Sequence, residues 1–349
     1  MRLSQRNYTI DLLRVIASFG VITVHVKATT TSAEAIGVFF SPFCVVFFFI
    51  VSLTFFVAGL QKGSAEDSLL KSFSRIYIPY LTWTVIYTSL LFAKASLAHS
   101  PRAFVPWRIL FYGESSVQLY YLPDLFALLL IAAGLYSVVT GTGSNKFKAL
   151  LPLVIGILFF WIGNFNHCFG MQGEGILLKL GCYILFGFLF SLLIANAERK
   201  PVLTVSGIVI IIFTLIVTFS NVNLQLMNYP LLIPFGGLGL LLFAIGFPLQ
   251  KLPGWLKTLS ENSYGIYLCH VLFLEGFEFI TDRYFPGRIE YTFVTKLLVV
   301  TGIFILSSIF TEQIRKFALA KRLLLGEETP NRKQTAKEKE PAVVANSVL

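Results

Sequence analysis

The sequence predicts an all-α, polytopic membrane protein with about ten transmembrane helices. Three observations predict it. Charged residues make up 13% of the 349, against about 25% in an ordinary soluble domain, and the mean hydropathy is +0.75. Hydrophobic residues reach 56%, with 35 Phe, an excess of bulky apolar side chains of the kind that face lipid. Apolar runs of about 20 residues, the length a helix needs to cross a bilayer, recur along most of the chain. They leave no room for a sizeable soluble domain.

In order, the runs cover residues 10–26, 35–60, 76–98, 119–140, 149–163, 176–195, 202–220, 230–248, 263–281 and 292–311. The first holds Asp11, Arg14 and His25, and no small-residue cleavage site stands out after it. It therefore reads as a retained span, not as a signal peptide. The second and third are separated by the polar stretch QKGSAEDS. The fifth is the shortest. No internal repeat and no inverted halves are evident.

Orientation follows from Lys and Arg. With the N-terminus inside, the cytoplasmic connections are the N-terminus, 61–75, 141–148, 196–201, 249–262 and 312–349, which hold 19 of the 28 basic residues. That bias places both termini in the cytoplasm. The net charge of +10 follows helix ends instead of forming one patch, which argues for a bilayer and against nucleic acid. Residues 1–315 form the membrane-embedded domain. Residues 316–349 read as a basic, disordered tail, most clearly from about Leu325 onward. Just before that point, Arg315, Lys316, Lys321 and Arg322 flank an apolar stretch. It reads as a solvated flank or as a short helix on anionic lipid.

Cys44, Cys182 and Cys269 lie in apolar runs and Cys168 in a loop, with no paired spacing. Neither a disulfide frame, a zinc site nor any other metal is expected. No GxSxG elbow and no P-loop occurs, so no hydrolase nucleophile of that type and no direct ATP use are expected.

Ionisable residues inside spans cost a few kcal/mol and are functional candidates. In IDLLRVIASFGVITVHV, Arg14 and His25 are eleven residues apart, within about 20° of one helix face and about 16 Å apart along the axis. Asp11 and Ser18 share that stripe, three residues before and four after Arg14. The face carries carboxylate, guanidinium, hydroxyl and imidazole in order of depth. The alternative is a snorkelling Arg14 paired with Asp11, and a packing His25. In KSFSRIYIPYLTW, Lys71 and Arg75 are four residues apart at the entrance to the third run. They suit a phosphate clamp, or are ordinary positive-inside decoration. In SYGIYLCHVLF, His270 lies inside the ninth run, with Tyr267 three residues before it on the same side. It either faces a shared cavity or packs with a hydrogen bond. His167 and Glu174, in an outer loop, offer themselves to an external ligand or to solvent.

Together these residues resemble the acyltransferase 3 family of bacterial membrane acyltransferases, over about residues 6 to 315. The resemblance rests on Arg14 and His25 in Arg-x10-His after Ile10-Asp11, FFFIVSLTFF around Ser52, the basic pair before Ile76-Tyr77, YYLPDLFALLL, and SYGIYLCH. The chain departs from the pattern at Leu53, where the family often has Gly after Ser. It departs again at Lys71 or Ser72, where a second Arg is common, and at Tyr121, where Trp is frequent. The resemblance implies transfer of an acyl group, usually acetyl, from cytoplasmic acyl-CoA to hydroxyls of cell-surface or lipid-linked glycans. It implies a bacterial inner-membrane location, acyl-CoA as co-substrate and no bound cofactor. On that basis His25 is the expected general base, and Arg14, Arg75 and Lys71 hold the donor phosphates. Two rival readings stay open: a secondary transporter or flippase, and a non-catalytic partner in polysaccharide export.

Overall fold

The computed structural model describes residues 6–97, 105–140, 150–158, 173–193, 200–220, 225–226, 229–230 and 232–328. The long elements are helices: α1 (Tyr8–His25), α2 (Thr31–Phe40), α3 (Cys44–Leu60), α4 (Ala65–Ser72), α5 (Ile78–Leu97), α6 (Pro106–Tyr112), α7 (Tyr121–Thr140), α8 (residues 150–158), α9 (Gly173–Leu193), α10 (Pro201–Phe219), α11 (Leu232–Gly246), α12 (Gly254–Tyr284), α13 (Phe293–Arg315) and α14 (Ala318–Leu325). One two-residue hairpin interrupts them, β1 (Gln225–Leu226) against β2 (Tyr229–Pro230), antiparallel. By length and composition, six of the described helical segments are able to cross a membrane, which makes this an all-α membrane protein.

Local chemistry sets the ends. Asn7 caps α1 by accepting from the backbone N–H groups of Thr9 and Ile10, and Asp11 sits in the positive first turn. Thr30, Ser64 and Thr292 cap α2, α4 and α13 in the same way. The single run 35–60 divides into α2 and α3 at residues 41–43, where Pro42 has no N–H to offer a helical ladder. Between α4 and α5, Phe73–Tyr77 forms one π-helical turn. Pro79 lies four residues after Arg75 and has no N–H with which to bond Arg75 O. That carbonyl instead accepts from Tyr264 Oη of α12 at 3.1 Å.

Glycines let some helices approach closely, as membrane bundles require in the absence of a hydrophobic drive between them. A Cβ on Gly207 of α10 would lie 2.5 Å from Phe243 N of α11, and one on Gly237 of α11 would lie 2.7 Å from Phe47 N of α3. Bulky side chains, among them Trp83, Tyr80, Tyr183 and Phe47, fill the interior around α3, α5, α7 and α9.

Side-chain ties define two faces. Arg6 bonds Glu261 at 2.9 Å, Thr9 Oγ1 donates to Phe247 O at 2.6 Å, and Lys200 N donates to Gly246 O at 3.0 Å. The starts of α1, α10 and α12 and the end of α11 therefore share one face, the N-terminal face. At the opposite face Lys27 pairs with Glu278 at 3.2 Å, and Thr29 N donates to Tyr291 O at 3.1 Å. Thus α1 and α12 lie side by side and run in the same direction.

Residues 318–325 differ from the disordered tail expected from residue 316. They form α14, which packs on α5 and α13 at the N-terminal face. The reason is its amphipathic pattern. Leu325 is buried and Leu324 packs on the core, while Phe317 and Leu319 stay exposed. The remainder of the expected tail, from residue 329, lies outside the described residues.

Candidate active site

The first part of the site is a pair of imidazoles. His25 ends α1 and is half-buried; His270 lies mid-way along α12 and is fully buried. Because the two helices run side by side in one direction, the rings meet with centroids 5.5 Å apart and planes inclined by 32°. His270 Nδ1 lies 2.7 Å from Tyr267 O and 3.2 Å from Ile266 O. Carbonyls only accept, so a neutral His270 carries its proton on Nδ1 and presents a bare lone pair on Nε2. That Nε2 is buried and has no hydrogen-bond partner among the described residues. An orphaned acceptor in a buried position needs an explanation, and a ligand or a partner's proton supplies one.

A ring of polar contacts holds this turn of α12. Tyr87 Oη of α5 donates to Leu268 O at 2.8 Å and accepts from Leu272 N at 3.2 Å. It thus sits between the acceptor and the donor of one helical turn, at the level of His270. Gln118 Nε2 donates to the same Leu268 O at 3.3 Å, and Gln118 O accepts from Tyr267 Oη. Gln118 belongs to the non-helical stretch between α6 and α7, where Ser115, Ser116, Gln118 and Leu119 are all buried. Irregular backbone within a membrane protein survives where the protein itself covers it.

The second part lies toward the N-terminal face. Arg14 pairs with Asp11 at 3.8 Å and places its guanidinium 5.7 Å from the ring centre of Phe55. Asp11 is buried; it also pairs with Arg6 and accepts from Ser260 Oγ at 3.0 Å. Arg75, on the π turn, is exposed and its guanidinium has no hydrogen-bond or ion-pair partner among the described residues, and the same holds for exposed Lys71 at the end of α4. Two like charges held near each other and left unpaired are what an anionic ligand would neutralise.

Of the other candidates, Ser18 is buried and donates its hydroxyl to Arg14 O at 2.9 Å, so its proton is already committed within α1. Ser52 Oγ lies 3.5 Å from Tyr121 Oη, and Tyr121 in turn packs on Tyr267 at 5.2 Å between centroids. Tyr267 and His270 share one side of α12, with centroids 6.0 Å apart. Glu174 lies in the first turn of α9. His167 and the side chain of Glu174 fall outside the described residues. Among the described residues no group of three His, Cys, Asp or Glu is placed to hold a metal.

Sequence reasoning missed Tyr87, Gln118, Arg6 and Glu261. Gln118 carried one legible signal, as an amide in the otherwise apolar approach to a span. The others lie far from their partners in sequence and match no motif.

The acyltransferase domain that defines the acyltransferase 3 family matches residues 7–312. Neither a curated protein nor a solved structure gives a match. The match takes in α1 to α12 and nearly all of α13, and so includes every residue of the imidazole pair and of the basic cluster. On that extent, the chain belongs to the acyltransferase 3 family of membrane acyltransferases.

Proposed function

We propose that this acyltransferase moves an acetyl group from acetyl-CoA, bound at the N-terminal face, to a hydroxyl of a cell-surface or lipid-linked glycan. The carrying observation is the meeting at 5.5 Å of His25, on the helix that also bears Arg14, with His270 of α12. The N-terminal face is the cytoplasmic one of a bacterial inner membrane, with both termini inside, as the bias of basic residues favours. Arg14, Arg75 and Lys71 hold the donor's phosphates. No cofactor is bound and no metal is used.

In the reaction, the thioester carbonyl lies beside His25. His25 takes the proton of the acceptor hydroxyl as the oxygen attacks the carbonyl carbon. A C–O bond forms, the C–S bond breaks, and the thiolate of CoA leaves and takes up the proton. An acyl-imidazole route balances equally: a His25 nitrogen attacks the carbonyl, the thiolate leaves, and the acceptor hydroxyl then displaces the imidazole and gives its proton to the CoA thiolate. In both routes His270 orients its partner. Its unpartnered Nε2 is an acceptor, and a hydrogen bond formed to it by a His25 N–H during the reaction would leave the other His25 nitrogen bare.

The test is turnover by purified protein in detergent with acetyl-CoA, a glycan acceptor and no ion gradient. Acetyl transfer is expected, and His25→Ala should lower it by about 10²- to 10⁴-fold with insertion unchanged. Near wild-type turnover in that variant would remove His25 from the chemistry. Activity that appears only with an imposed gradient would favour a transporter.

A further inference from the structure

The geometry points to α14 as a latch that sets the position of Arg75, with Gly326 and Glu327 as positioning residues for the donor phosphate site. The inference rests on the reading of Arg75 as a phosphate ligand. Both residues lie beyond the matched family domain, which ends at residue 312.

The latch begins with the end of α14. Gly326 adopts φ +64, closing the helix by donating its N–H to Arg322 O, and Glu327 N reaches back to Lys321 O at 3.4 Å. The left-handed turn brings Gly326 against the π turn. A Cβ there would lie 2.6 Å from both Arg75 Cα and Arg75 O. Only glycine permits both the backbone angle and the approach. Arg75 is thus held on two sides, since Tyr264 Oη also donates to its freed carbonyl.

Three ties keep the latch in place. Trp83 of α5, buried eight residues after Arg75, donates Nε1–H to Leu324 O at 3.0 Å. Leu325 is buried and lies close enough to Gly265 that a Cβ there would meet its Cδ2 at 3.0 Å. Glu327 accepts from Arg315 Nε at 3.0 Å and Nη2 at 2.7 Å, and lies 3.7 Å from Lys321. Arg315 also donates to Glu261 O at 2.7 Å and to Asn262 Oδ1. Glu261 pairs with Arg6, Arg6 with Asp11, and Asp11 with Arg14. A continuous chain of ion pairs and hydrogen bonds therefore joins the latch to Arg14, while Gly326 itself touches Arg75. Both donor-site arginines are referred to one element at the N-terminal face.

The experiment compares acetyl-CoA with acetyl-pantetheine, which lacks the nucleotide phosphates, using the full chain in detergent. The variants are Gly326→Ala, Glu327→Ala, Arg75→Ala and the double variant Gly326→Ala with Arg75→Ala. Arg75→Ala should raise KM for acetyl-CoA by about 10- to 150-fold, the worth of one charge-assisted phosphate bond. Gly326→Ala and Glu327→Ala should raise the same KM by a smaller factor. They should leave kcat and the KM for acetyl-pantetheine near wild type, which also shows that they fold. The double variant should be no worse than Arg75→Ala alone. Equal losses with the two donors, or full additivity in the double variant, would reduce the latch to a structural brace and overturn the inference. An unchanged preference in Gly326→Ala and Glu327→Ala, beside a lost preference in Arg75→Ala, would overturn the latch and spare the donor site. If Arg75→Ala itself keeps the preference, the donor reading fails and the latch with it.

Discussion

At the scale of single residues, the imidazole pair divides into two roles by hydrogen bonding. His270 has spent Nδ1 on the carbonyls of its own helix and keeps Nε2 unpartnered and buried. His25, at the end of α1, is half-buried. The less enclosed side chain is the better base, and the enclosed one the better orienting group. His270→Ala is therefore expected to lower kcat less than His25→Ala does. His270→Gln should recover part of the loss, because its amide oxygen can again accept a hydrogen bond from His25. Turnover at saturating acetyl-CoA measures both. A His270→Ala variant as inactive as His25→Ala, with no recovery by Gln, would assign the proton transfer to His270.

At the scale of elements, α12 is held open to its neighbours at one turn. Tyr87 brackets Leu268 O and Leu272 N, and Gln118 shares the same carbonyl, so α5 and the stretch before α7 both grip the turn that carries His270. Tyr87→Phe keeps the ring and removes the hydroxyl. It should destabilise the protein by about 1–3 kcal/mol, the penalty for unsatisfied buried groups, and lower kcat without changing KM for acetyl-CoA. Thermal unfolding in detergent and steady-state kinetics separate the two effects. A rise in donor KM instead would mean that Tyr87 acts at the N-terminal face. The π turn is the corresponding device at the basic cluster. Pro79 frees Arg75 O, Tyr264 takes it up, and Gly326 closes over it. π turns inside helices often mark functional sites, and this one carries the unpaired guanidinium.

At the scale of the whole molecule, the ties of Arg6 to Glu261 and of Gly326 to Arg75 gather the start of α1, the π turn and the end of α14 at one face. Lys27 with Glu278 marks the other. Reporter fusions after Lys62, Lys200 and Lys257 should therefore report the cytoplasm, and fusions near Asn223 and Pro286 the outside. A cytoplasmic signal near Asn223 would break this arrangement from α10 onward. The two parts of the candidate site lie at different depths: the basic cluster near the N-terminal face, the imidazoles toward the opposite one. That separation suits a donor and an acceptor arriving from opposite sides.

The sequence alone determined what one helix or one run of composition can carry. Apolar length called for a helical membrane protein, because an unpaired backbone is too costly in lipid. The spacing of Arg14 and His25 put them on one face of α1, since both lie within a single regular helix whose period is known. Even the freed carbonyl of Arg75 was implicit in Pro79. What the sequence did not hold was the meeting of elements distant along the chain. His25 and His270 are brought together only because α1 and α12 pack side by side in one direction. Tyr87 of α5 and Gln118 of the stretch before α7 both reach Leu268 of α12, and α14 returns to a turn some 250 residues earlier. Such contacts arise from packing, in which side chains of similar chemistry compete for the same surface. No local period or cap encodes which of them wins, and only the tertiary structure decides it.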